Sequence, residues 1–210
     1  GYSALAALTS GAKNVAIGFE ALKSLTTGDN NIAIGYQAML DTDDGAAAGS
    51  TENIFIGYQS GSGTWADAAS NYNVVVGNSI MRGALNGALN NTALGYGALK
   101  DLTTGDYNVA IGSTAGENLV GGQRNILVGH WAGGTSTDVD RAVLIGHGAG
   151  SDGDITDAAD GTIGIGYAAL GALTSGAGNT AIGFNALLGN TTGNRNTAIG
   201  YGAMDGSGGA

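Results

Sequence analysis

His130 and His147 are the chain's two histidines, and seventeen residues separate them. Imidazole nitrogens suit borderline divalent metals, so the pair could hold an ion, alone or with histidines of other chains. The plainer reading is that each replaces a tyrosine in a stack of rings. Carboxylates cluster twice, at Asp41, Asp43, Asp44 and Glu52, and at Asp152, Asp154, Asp157 and Asp160. Such clusters suit calcium, the one cofactor these residues suggest. Neither has the D-x-[DN]-x-[DN]-G spacing or the GGxGxD nonapeptide of known calcium loops, so both read as solvated acidic loops.

Trp65 lies in the stretch GSGTWADAAS. Exposed there, it would serve as a contact for a glycan or a receptor; otherwise it packs over the edge of the fold. The pairs Thr26-Thr27, Thr103-Thr104 and Thr191-Thr192 suggest the threonine rows of ice-binding solenoids. A flat ice face needs such a row in nearly every coil, and here it stands in a minority. No nucleophile, base and orienting group can be assembled, and neither G-x-S-x-G nor a phosphate-binding loop occurs. The expectation is a chain that is not an enzyme.

The elements that position these residues follow from a repeat. The phrase recurs as NVAIGFEAL at 14–22, NIAIGYQAM at 31–39, NTALGYGAL at 91–99, NVAIGSTAG at 108–116 and NTAIGYGAM at 196–204, with six further variants. GYSAL at 1–5 is a truncated copy. The central glycines are Gly1, Gly18, Gly35, Gly57, Gly77, Gly95, Gly112, Gly129, Gly146, Gly166, Gly183 and Gly200. Seven of the eleven spacings are 17, and the others are 18, 20, 20 and 22. A dominant period with local lengthening is the mark of a solenoid, whose coils fix one another and whose insertions bulge out as loops.

Within a copy, Asn, then Val, Ile or Thr, then a small residue, then Ile, then Gly alternates with period two, which predicts a β-strand. The residue before each glycine (Ile17, Ile34, Ile111 and their equivalents) is expected to fill a narrow apolar core, with the small residue before it facing outward. After the glycine comes an aromatic or a histidine in ten of twelve copies. Leu-Thr-Thr-Gly-Asp at 25–29 and 102–106 is read as the return turn, its glycine supplying a positive φ. The expected coil has about two short strands and two turns. Asn14, Asn31, Asn91, Asn108, Asn196 and their equivalents can form a hydrogen-bonded ladder or cap the turn in which they sit.

The predicted fold class is therefore all-β, a parallel β-solenoid forming one repeat domain over 1–210. It would have about 12 coils of mostly 17 residues, roughly 55–60 Å long at 4.8 Å per coil. Stacking makes Gly18, Gly35, Gly95, Gly112 and Gly200 structural, together with Ile17, Ile34 and the asparagines. A thin roll leaves one apolar face without a partner, and self-association, side by side or end to end, would supply one.

Composition bounds the partners. The chain has 41 glycines, no proline and no cysteine, and is 43% apolar. That balance argues against low-complexity disorder and collagen alike. A net charge of −10 argues against nucleic acid and anionic lipid. No stretch approaches the roughly 18 apolar residues of a membrane-spanning helix. The chain opens in the middle of a repeat, which suggests a segment of something longer.

The N-[VTI]-A-I-G-x-x-A phrase resembles the YadA-like head repeats of trimeric autotransporter adhesins. The longer form NTAIGYxAL, followed by LTTG or NTTG, is similar to repeats of phage-type tail fibre and large bacterial surface proteins. The resemblance covers essentially the whole chain. It implies a left-handed β-roll, a homotrimer, and an extracellular role on a cell surface or virion. That role would be a fibre shaft or an adhesin head that contacts host glycan or protein. The period of 17 is longer than the repeat common in the adhesin heads.

Overall fold

The computed structural model describes residues 1–42, 49–66 and 68–206. Within them lie eleven strands of three residues each. They are β1 (Val15–Ile17), β2 (Ile32–Ile34), β3 (Ile54–Ile56), β4 (Val74–Val76), β5 (Thr92–Leu94) and β6 (Val109–Ile111). β7 (Ile126–Val128), β8 (Val143–Ile145), β9 (Ile163–Ile165), β10 (Thr180–Ile182) and β11 (Thr197–Ile199) follow. All pair in parallel, in sequence order, as one sheet. The register never slips: Val15 pairs with Ile32, Ile32 with Ile54, and so on to Thr180 with Thr197. The fold is a parallel β-solenoid.

Each coil has one strand where two were expected. The return path is built from turns whose residues alternate into the left-handed region, as at Glu20 (φ 54°) and Leu22 (φ 50°) or Gln37 (φ 53°) and Met39 (φ 48°). Leucine and methionine avoid that region, because their Cβ crowds the following carbonyl. Hydrogen bonds between coils compensate. Leu22 donates its N–H to the Ala38 carbonyl at 3.0 Å, and Gln37 donates to Phe19 at 2.8 Å. The backbone ladder thus continues beyond the strands.

The sidedness of the strand reverses the expectation. The small middle residue points inward: Ala33, Ala110 and Ala181 have no exposed surface. The residue before the glycine points out, with Ile17 57% and Ile199 68% exposed. The cause is volume. Leu22, Leu25, Leu99, Leu102, Leu119 and Leu173 enter the interior from the return path and are fully buried. They leave room for little more than a methyl group on the strand. Where the strand supplies a phenylalanine or leucine, the residue six positions later is glycine, as with Phe55 and Gly61, Leu127 and Gly133, and Leu144 and Gly150, whereas the smaller Val75 is accommodated together with Met81. Where the strand is small, that place holds a large residue, as with Ala33 and Met39, Ala93 and Leu99, and Gly164 and Leu170. Ala110 is followed by Gly116, but there Leu127 and Leu99 reach in from the flanking coils; a Cβ on Gly116 would lie 2.6 Å and 3.0 Å from their methyl groups.

Two columns lock the coils together. At the strand's end Gly95 (φ 133°) is followed one coil later by Gly112 (φ 136°), and a Cβ on Gly95 would lie 2.5 Å from the Gly112 carbonyl oxygen. A second column is asparagine. Asn91 is fully buried, and its Nδ2 donates to Asn73 Oδ1 at 3.1 Å and to the Gly105 carbonyl at 2.8 Å. Its Oδ1 accepts from the Asn108 backbone N–H at 2.9 Å and from Asn108 Nδ2 at 3.1 Å. The side chain is therefore fully partnered, as a buried amide must be. The ladder runs from Asn14 through Asn31 to Asn125, lapses at Ala142 and Thr162, and resumes from Asn179 to Asn196.

The glycine of the Thr-Thr-Gly turn needs a different explanation from the expected one. Gly105 does not lie in the left-handed region. It is glycine because a Cβ there would overlap the Gly122 carbonyl of the next coil and sit 2.7 Å from a Leu102 methyl group.

Candidate functional site

The outer surface of the sheet is the largest regular feature of the molecule. Each strand turns its first and third side chains outward, and none of the strand residues is charged. Val15, Ile17, Val74, Val76, Leu94, Ile111, Ile126, Ile182 and Ile199 are exposed. A chain of net charge −10 thus carries an uncharged apolar strip along its length. Among the described residues no helix is long and apolar enough to cross a membrane.

Beside this strip runs the ring column, two residues past each strand. Tyr2, Phe19, Tyr36 and Tyr58 stack at centroid distances of 5.5, 5.2 and 5.3 Å. Asn78 interrupts the column, and its Oδ1 accepts the Tyr58 backbone N–H at 2.9 Å. A second stack runs from His130 through His147, Tyr167 and Phe184 to Tyr201, with spacings between 4.8 and 5.2 Å. The two histidines, brought to adjacent rungs by the period of 17, are the closest pair at 4.8 Å. The rings turn their edges to solvent because their faces are covered by one another, a geometry that favours offset stacking.

The structure corrects the reading of Trp65 as a surface contact. Trp65 is fully buried, packs at 5.6 Å against Phe55 and donates its Nε1–H to the Gly61 carbonyl at 3.1 Å. It takes the interior place that leucine fills in regular coils. The insertion around it is tied to the preceding coil by Thr64 Oγ1 on Asp41 Oδ2 at 3.1 Å and by the Trp65 N–H on the Asp41 carbonyl at 2.9 Å. Asp43 and Asp44 lie outside the described residues.

The acidic positions of 152–160 are not gathered around a common point. Asp154 Oδ1 accepts the Thr137 N–H and hydroxyl, each at 3.0 Å. Asp160 Oδ1 accepts the Asp140 N–H at 3.2 Å, while its Oδ2 pairs with Arg141 at 2.8 Å. Ser151 Oγ bonds Asp152 Oδ1 at 3.2 Å, and Asp157 opens a single 3-10 turn at Asp157–Ala159. Among the described residues no group of three or more His, Cys, Asp or Glu could hold a metal ion.

The role of these carboxylates was missed in the sequence. Asp29, Asp106 and Asp140 cap the backbone N–H groups of Ala12, Leu89 and Gln123 one coil earlier. The signal was present, since the aspartate of LTTGD recurs six residues before a repeat glycine. Threonine hydroxyls are spent similarly: Thr103 and Thr174 donate to the carbonyls of Val120 and Thr191. On the return path Glu20 bonds Lys23 at 2.7 Å and accepts from Gln37 at 3.0 Å, and these two contacts hold its carboxyl below the usual carboxylate range.

These surfaces belong to a repetitive parallel β-solenoid. The described polar groups serve mainly to join one coil to the next, and no pocket opens among the described residues. No protein-family model, no curated protein and no solved structure matches the chain.

Proposed function

We propose that the chain is the shaft of an extracellular fibre, in which copies pack side by side through their strand faces as a homotrimer. The observation that carries this reading is the uncharged apolar strip. Eleven rungs at about 4.8 Å and three residues of width make roughly 500 Å² in projection, about two thirds of the ~800 Å² per partner of a standard interface. Elsewhere the acidic surface would repel an identical copy, so the strip is where copies can meet. The resemblance to YadA-like heads and tail fibre repeats points the same way, as does the repetitive build, which suits a rod of chosen length.

A second reading is an adhesin head that binds surface glycan or matrix protein through its loops. It is favoured by the two longest consecutive spacings, 22 and 20 residues after Gly35 and Gly57, whose insertions are fastened to each other at Asp41 and Thr64.

Light scattering with electron microscopy separates these outcomes. Short rods of three-chain mass are expected, and Ile111→Lys with Ile182→Lys should convert them to single chains of unchanged circular dichroism. Single chains of the parent protein at all concentrations would refute the side-by-side shaft. Long filaments insensitive to those lysines would point to end-to-end polymerisation instead.

A further inference from the structure

We propose that His130 and His147 form a two-imidazole site for a divalent cation of the nickel, copper and zinc group. Both rings are exposed, on consecutive rungs, with centroids 4.8 Å apart and planes 24° from parallel. Stacking does not account for the choice of histidine. Tyr167 continues the same column at 5.2 Å, and every other ring in it is tyrosine or phenylalanine, so the packing requires only a flat ring. Histidine adds a lone-pair nitrogen to each rung. Among the described residues no hydrogen bond occupies the nitrogens of either ring.

The backbone beneath the pair is fixed. β7 and β8 place Val128 opposite Ile145, and the Gly148 N–H donates to the His130 carbonyl at 2.9 Å. The two side chains therefore leave the solenoid at matched heights. A metal holding both nitrogens at about 2.1 Å can span up to about 4.2 Å between them. Stacked rings 4.8 Å apart direct their in-plane lone pairs along nearly parallel lines, so both rings turn out of the stack about their side-chain bonds to meet one ion, which their exposure permits. The described residues bring no third protein ligand, so water completes the shell. Nitrogen and water in a tetragonal arrangement suit copper and nickel best.

The test is a calorimetric titration of the full chain with nickel and copper chloride, beside His130→Tyr, His147→Tyr and the double variant. Tyrosine is the column's own residue, so stack and fold persist, as circular dichroism will verify. One ion per chain is expected near neutral pH, with affinity about tenfold or more weaker in each single variant. The proposal is overturned if the parent chain takes up no ion, or if the double variant binds as tightly as the parent.

Discussion

The ring of Phe55 fills the space that a side chain on Gly61 would need: a Cβ there would lie 2.5 Å from Cε1 of the ring. The two residues are six apart in one coil, and the size of one sets the size of the other. Gly61→Ala should cost about 2–4 kcal/mol, from overpacking and from an L-residue at φ 64°. Phe55→Ala should cost about 3 kcal/mol through the cavity it leaves. Phe55→Ala with Gly61→Leu recreates the pairing of Ala93 with Leu99, and chemical denaturation should show a favourable coupling of about 1–3 kcal/mol. Additive losses would contradict the volume rule.

Gly95 stands where neither its conformation nor its neighbour admits a side chain. Gly95→Val should lower stability by about 3 kcal/mol or more, since the obstacle is the Gly112 carbonyl and not a flexible group. An unchanged melting temperature would remove the requirement.

The asparagine ladder predicts both a loss and a gain. Asn108→Ala leaves the Gly122 carbonyl and Asn91 Oδ1 each short of a donor inside the solenoid, at a cost of about 1–3 kcal/mol. Filling the gap with Ala142→Asn and Thr162→Asn should instead raise stability by about 1 kcal/mol. Thr162 already directs its hydroxyl to Gly176 at 3.4 Å, the carbonyl a ladder amide would take. Thermal melts of the two variants, moving in opposite directions, would verify the ladder.

Glu52 lies in the left-handed region (φ 58°) at the place where other coils carry Asn30 and Asn90. Asparagine tolerates that region better, and Glu52 is exposed. Glu52→Asn should raise stability by about 0.5–1 kcal/mol, measured as a higher denaturation midpoint with an unchanged slope. A lower midpoint would show that the glutamate makes a contribution beyond its backbone.

The sequence by itself determined the period, the place of the one strand that each coil keeps and the contents of each column. In a solenoid, residues one period apart become neighbours, so a pattern along the chain is already a list of contacts. The stack of Tyr2, Phe19, Tyr36 and Tyr58, the pairing of His130 with His147 and the amide ladder were legible for that reason. Only the tertiary structure decided which side of the strand faces in. Alternation marks two faces without ordering them, and hydrophobicity alone assigned Ile17 to the core in place of Ala16. The order depends on space, and Leu22 and Leu25 had already taken it from the far side of the coil. The same competition for volume buried Trp65 in a widened coil. Turns built on left-handed Leu22 and Met39 stayed hidden because local preference opposes them, and they persist because neighbouring coils hold their backbone in place.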